Sequence, residues 1–234
     1  LTDPPDAYDI LGTAEHSPVG GADTSLPLGR TAALVGEYRW IETALFGLLG
    51  RWVTDMPVAG VQVHLDGQSL RHAWHAELWG DRLPVLHGVD PDGLTRPSAA
   101  TAALFAALDG VEPVAVGPGS TWPPADRGAV PRPGVLPRLA GLYRVVLPRL
   151  VTSYTRHLQV VAPVADGPLR RVLKLVVNDS VEDWLTGERL IQRLMTRPHD
   201  VAAVYEYLEH LEAVAVAAGA HSGLVDLSDR IPAD

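Results

Sequence analysis

Apolar residues recur at intervals of three and four along most of this chain, the spacing of helices that bury one face. No useful length alternates with the period of two that a half-buried strand requires. The spacing predicts long helices over 27–54, 58–83, 136–161 and 169–195, a short one over 98–109 and a last one over 200–218. The first buries Leu34, Ile41, Leu45, Leu48 and Trp52, with Pro27 in its first turn and Thr24 or Ser25 as its cap. Asp55-Met56-Pro57 is a tight turn, so the second helix folds back antiparallel to the first and ends before Pro84. The third carries Leu139, Leu142, Val146, Leu150, Ser153, His157 and Val161 on one side, with Pro148 pointing away and placed to kink it. The fourth carries Leu169, Leu173, Val176, Ser180, Asp183, Ile191 and Leu194, and the last presents Val204, Tyr207, Leu208 and Leu211 before Gly219 stops it. Residues 1–25 read as an extended arm, 26–220 as one domain and 221–234 as a tail. The proline- and glycine-rich stretch 110–136 reads as a long crossover within that domain.

The stripe of the second helix is anomalous. Over Leu70–Leu83 and the turns before it, Val61, Leu65, His72, His75, Trp79 and Leu83 share one face, while Glu77 and Asp81 fall opposite. Two imidazoles therefore stand one turn apart where a core helix carries leucine, and each, once buried, needs a hydrogen-bond partner or a metal. Counted outward from the Asp55–Pro57 turn, Glu37 is level with His75 and Glu42 close to His72. Glu37 lies about 60° from the centre of the first stripe and Glu42 about 80° to the other side, so Glu37 is the better placed partner for His75. Asp183 is the unexpected acid of the fourth stripe, with Asp179 at its edge and Glu182 facing away. His157 faces inward but on the order of 10 Å off the level of the two histidines. Trp74 and Trp184 fit either the core or the lining of a ligand site.

Composition narrows the chemistry. With no cysteine, disulfides, thiolate metal sites and cysteine nucleophiles are excluded. A formal net charge of −9 disfavours nucleic acid and anionic membranes, and no run approaches the roughly 18 apolar residues of a membrane span. The start LTDPPDAYD shows no signal peptide, which favours a cytoplasmic location. No Gly-x-Gly-x-x-Gly or Walker-type loop points to a nucleotide, and Arg170, Arg171 and Lys174 read as a solvated patch. Lys174 is the sole lysine, and arginine with abundant Ala, Gly, Pro and Val suggests a GC-rich genome.

Two antiparallel hairpins joined by a long crossover describe a four-helix bundle, all-α, with the last helix packed outside. The segments GEYRWIETALFGLLGRW, LRHAWHAELWGDRLPVL and RVLKLVVNDSVEDWLTGERLIQRL resemble ferritin-like proteins of actinobacteria, over roughly residues 28–87 and 138–195. That resemblance implies two irons held by one Glu from each of two helices and a Glu-x-x-His from each of the other two. Carried over by position, Glu37 matches the first carboxylate and His75 the histidine of the second helix, with His72 in place of its carboxylate. In the fourth helix Ser180 and Asp183 replace Glu and His, and in the third Val146 and Leu150 occupy the level of the site. No Glu-x-x-His occurs anywhere, so a two-iron centre is not expected.

These residues suggest an enzyme of small-molecule metabolism, with specialised biosynthesis as one setting, and with Glu37, His72, His75 and Asp183 as the catalytic set. Glu42, Trp74, Tyr154, His157 and Trp184 would surround the substrate. The chemistry is acid–base, with no cofactor expected, or uses a single Fe, Zn or Mn on His72, His75, Glu37 and Asp183. A metal-dependent oxygenase with an unorthodox ligand set and a non-catalytic binding or structural bundle are the alternatives. A homodimer is left open.

Overall fold

The computed structural model describes residues 26–85, 90–110, 133–220, 223–225 and 227, and every regular element among them is helical. The elements are α1 (Leu28–Asp55), α2 (Ala59–Gly80), α3 (Pro91–Leu94), α4 (Ala99–Asp109), α5 (Val135–Gly141), α6 (Leu147–Val160), α7 (Gly167–Leu194) and α8 (Pro198–Ala217). A π-helical turn, Leu142–Val146, joins α5 to α6. The expected arm over 1–25, its caps Thr24 and Ser25, and most of the crossover lie outside the described residues. None of the described helices is long and apolar enough to cross a membrane.

In α1 the Pro27 carbonyl takes the first N–H groups, those of Arg30 and Thr31, so the helix starts without a side-chain cap. Its stripe Leu34, Ile41, Leu45, Leu48 and Trp52 is buried, as are Val61, Leu65, His72, His75 and Trp79 of α2. The two helices pack along each other as a hairpin. Met56 is buried in the turn, and the Gln62 amide donates to its carbonyl at 2.8 Å, which ties the start of α2 to the end of α1. On the outer side of α1, Gly36 lets the α3 backbone close in: a Cβ there would stand 2.1 Å from the Leu94 carbonyl oxygen.

The irregularity expected at Pro148 takes a specific form. Proline has no N–H to return to the carbonyl four residues back, and the chain just before it widens, the Leu147 N–H reaching the Leu142 carbonyl. A π turn adds a residue and rotates the helix beyond it by about 100° relative to an unbroken one, so Tyr143, Val145 and Val146 are all buried. Tyr143 fits only because Gly187 of α7 lies against its ring, where a Cβ would come within 2.2 Å. Helix α6 packs on α7, and α2 also meets α7, so α1, α2, α6 and α7 surround one interior. Helix α8 lies against α4 and α5. Near the end of the described chain, the N–H groups of Leu224 and Val225 both donate to the buried Ser153 hydroxyl, at 2.9 and 3.0 Å.

Candidate metal centre

The interior that α1, α2, α6 and α7 share holds a polar cluster. Glu42 enters it from α1 fully buried, and α2 contributes His72 and His75, both buried. His72 Nδ1 lies 2.5 Å from Glu42 Oε2, and His75 Nδ1 lies 3.5 Å from the same oxygen. The two imidazole rings are perpendicular, with centroids 6.1 Å apart. One ligand atom from each residue thus lies within 4.8 Å of the other two, and among the described residues this is the one such group of His, Asp or Glu side chains.

The far side of each ligand is held as well. Tyr154 of α6 donates its hydroxyl to Glu42 Oε1 at 2.6 Å. His75 Nε2 lies 2.9 Å from Asp179 Oδ2 of α7. His72 Nε2 faces the Gln68 amide nitrogen at 3.4 Å, and the Tyr143 hydroxyl donates to Gln68 Oε1 at 2.6 Å. Partners behind ligating side chains fix ring orientation and basicity in metal sites, and here every one of the three has such a partner.

Electrostatics bind the cluster tightly. Burial alone would lower the His75 pKa, but the charges of Glu42 and Asp179 outweigh it and hold the group at about 9. Burial pushes the Glu42 carboxyl up, and the imidazoles of His72 and His75 more than reverse that, leaving it well below the usual carboxylate range. Tyr154 is kept protonated by burial and by the neighbouring Glu42, so its hydroxyl acts as a donor.

The structure redistributes the residues singled out from the sequence. His72 and His75 are together, but their carboxylate is Glu42, not Glu37. The two glutamates are five residues apart, about 140° around the helix, and equal height along the hairpin says nothing of that angle. Glu37 instead accepts from the Ser98 N–H at 2.9 Å and the Thr101 hydroxyl at 2.6 Å, at the N-terminus of α4, where a carboxylate is favoured. Asp183 is also outside the trio: Arg71 of α2 grips both of its oxygens, Nε at 3.0 Å from Oδ2 and Nη2 on Oδ1. Trp74 is 45% exposed and lies with its ring 5.8 Å from that of His75, at the outer edge of the site. Trp184 is partly buried against the hydrophobic core. His157 is buried one turn from Tyr154, and burial, aided by the Arg30 charge, lowers its pKa to about 4. Gln68, Tyr143 and Arg71 were not legible as site residues, although Gln68 stands four residues before His72, on the same side of α2.

A two-iron set does not fit these residues. Val146 and Leu150 are buried apolar side chains, and Glu37 and Asp183 are committed to other partners. Compared with known proteins, the chain matches no family model, no curated protein and no solved structure.

Proposed function

We propose that this chain is a ferritin-like four-helix-bundle enzyme of small-molecule metabolism in which Glu42, His72 and His75 hold a single divalent first-row metal ion. The observation that carries the proposal is the convergence of Glu42 Oε2, His72 Nδ1 and His75 Nδ1 while Tyr154, Gln68 and Asp179 hold their opposite ends. Two imidazoles and one carboxylate suit Zn, Fe or Mn and leave coordination positions for water and substrate. An ion there would supply Lewis acidity toward a substrate oxygen or toward water. Around it, Asp179 orients the His75 ring, Tyr154 keeps one Glu42 oxygen occupied, and buried side chains exclude bulk solvent. Gln68 matches either His72 tautomer by turning its amide, since the Tyr143 hydroxyl both donates and accepts.

Cobalt(II) serves as a visible reporter for this site. Titration is expected to give an absorption band saturating at one equivalent per chain, lost in Glu42→Ala, His72→Ala and His75→Ala. No band in the folded protein, or a band unchanged in all three variants, would overturn the proposal.

One observation favours a metal-free second reading: His75, raised to about 9, is an imidazolium set between two carboxylates and so is poised as a general acid. In that case the cobalt titration stays blank while His75→Gln still abolishes turnover.

A further inference from the structure

One helical turn from the metal trio lies a second polar layer. Tyr38 precedes Glu42 by four residues, Trp79 follows His75 by four, and His157 follows Tyr154 by three. The antiparallel hairpin carries the first two in the same direction, and their rings meet at 5.1 Å. Tyr38 also packs edge-on against Tyr154 at 4.8 Å and lies 5.7 Å from His157, while Trp79 stacks on Tyr154 at 5.6 Å. All four side chains are buried.

Within this layer the Tyr38 hydroxyl, the Trp79 indole nitrogen and both ring nitrogens of His157 have no hydrogen-bond partner among the described residues. Buried polar atoms are nearly always paired, and a phenylalanine or leucine in place of Tyr38 or His157 would pack without the penalty of an unpaired group. The metal trio does not use these atoms. Four unpaired polar atoms are thus gathered on three mutually packed side chains, in a layer otherwise made of aromatic ring faces.

We infer that Tyr38 and His157 bind the hydroxyl of a small uncharged alcohol, whose apolar body lies against the rings of Trp79 and Tyr154. A neutral imidazole offers one donor and one acceptor, and a phenol offers both, so the matching group must donate and accept, as a hydroxyl does and a ketone does not. Neither side chain supplies a counter-charge for an ion. Burying an ion against these neutral groups would cost far more than burying a hydroxyl. The inference rests on the metal reading only in setting the bound hydroxyl beside the proposed centre; the alcohol site itself needs no metal.

The test uses the full chain without added metal and follows the His157 ring nitrogens by long-range proton–nitrogen NMR. Propan-2-ol is expected to shift them saturably, whereas acetone, propanoate and isopropylammonium at the same concentrations are not. Tyr38→Phe, which removes a single oxygen, should weaken propan-2-ol binding at least several-fold, and His157→Phe, followed through the Trp79 indole signal, should abolish it. Both variants should keep the one-equivalent cobalt band, so a blank cobalt titration alone defeats the metal proposal and leaves this one standing. A non-saturating response to propan-2-ol, which would mean that ordered water alone fills the layer, overturns the inference. Equal binding of acetone or of either ion, or undiminished binding in Tyr38→Phe, also overturns it.

Discussion

His75 Nε2 lies 2.9 Å from Asp179 Oδ2, joining α2 to α7 across 104 positions of sequence and leaving Nδ1 turned toward Glu42. Asp179 is 28% exposed in its side chain, so it connects the buried cluster to the outer edge of the interior. As the partner behind a proposed ligand, it should affect metal affinity more than the number of ions bound. Asp179→Asn should bind one metal ion per chain with about 10–100-fold lower affinity, measured by competition with a chromophoric chelator. Unchanged affinity would show that Asp179 does not support His75.

Glu37 accepts hydrogen bonds at the start of α4 and lies outside the trio of Glu42, His72 and His75. Glu37→Ala removes the acceptor of the Ser98 N–H and the Thr101 hydroxyl and should destabilise the protein by about 1–2 kcal/mol in urea unfolding. Metal affinity should be unchanged. A loss of metal binding without a loss of stability would return Glu37 to the site.

Gly187 makes room for the ring of Tyr143, a residue of the π turn. Gly187→Ala places a methyl 2.2 Å from the ring and should cost about 1–3 kcal/mol in stability through overpacking, seen as a lower Tm. Tyr143 would shift away from Gln68, and with it the support behind His72. A variant as stable as the parent would mean that the ring has room to move.

His157 gives the fold an acid limit. Its pKa is about 4 when folded, lowered first by burial and then by Arg30, against 6.5 for the free side chain. Above pH 6.5 the ring is neutral in both states and adds no pH dependence. As pH falls from 6.5 toward 4 the unfolded chain takes up the proton first, so stability falls, by up to ~3 kcal/mol from this one group. Urea unfolding at a series of pH values should show that wild type loses more stability than His157→Phe over this window and that the difference is flat above it. Parallel curves would show that His157 is not buried neutral.

The helices were legible in the sequence because their stripes are long and regular: every residue assigned to the first stripe, and all of the second but Leu83, is fully buried. Leu83 lies past the end of α2 and is only partly covered. The two histidines stood out for the same reason, as polar residues on an apolar face. Their carboxylate did not, because the choice between Glu37 and Glu42 depends on what packs against each flank of α1. The flank bearing Glu37 meets the start of α4, a contact between segments that no periodicity in α1 reports. Asp183 misled for a related reason: its position faces inward, but Arg71, from the neighbouring helix, reaches it first. Tyr143 was hidden by the π turn, which breaks the 3.6-residue count at the point where the tyrosine enters the interior.

The central claim, one ion on Glu42, His72 and His75, is tested most directly by anomalous X-ray diffraction from crystals grown with zinc(II), iron(II) or manganese(II). A single anomalous peak per chain is expected, about 2.0–2.2 Å from Glu42 Oε2, His72 Nδ1 and His75 Nδ1. No peak at that point in any of the three, or a pair of peaks about 3.5–4 Å apart as in two-metal sites, would contradict it.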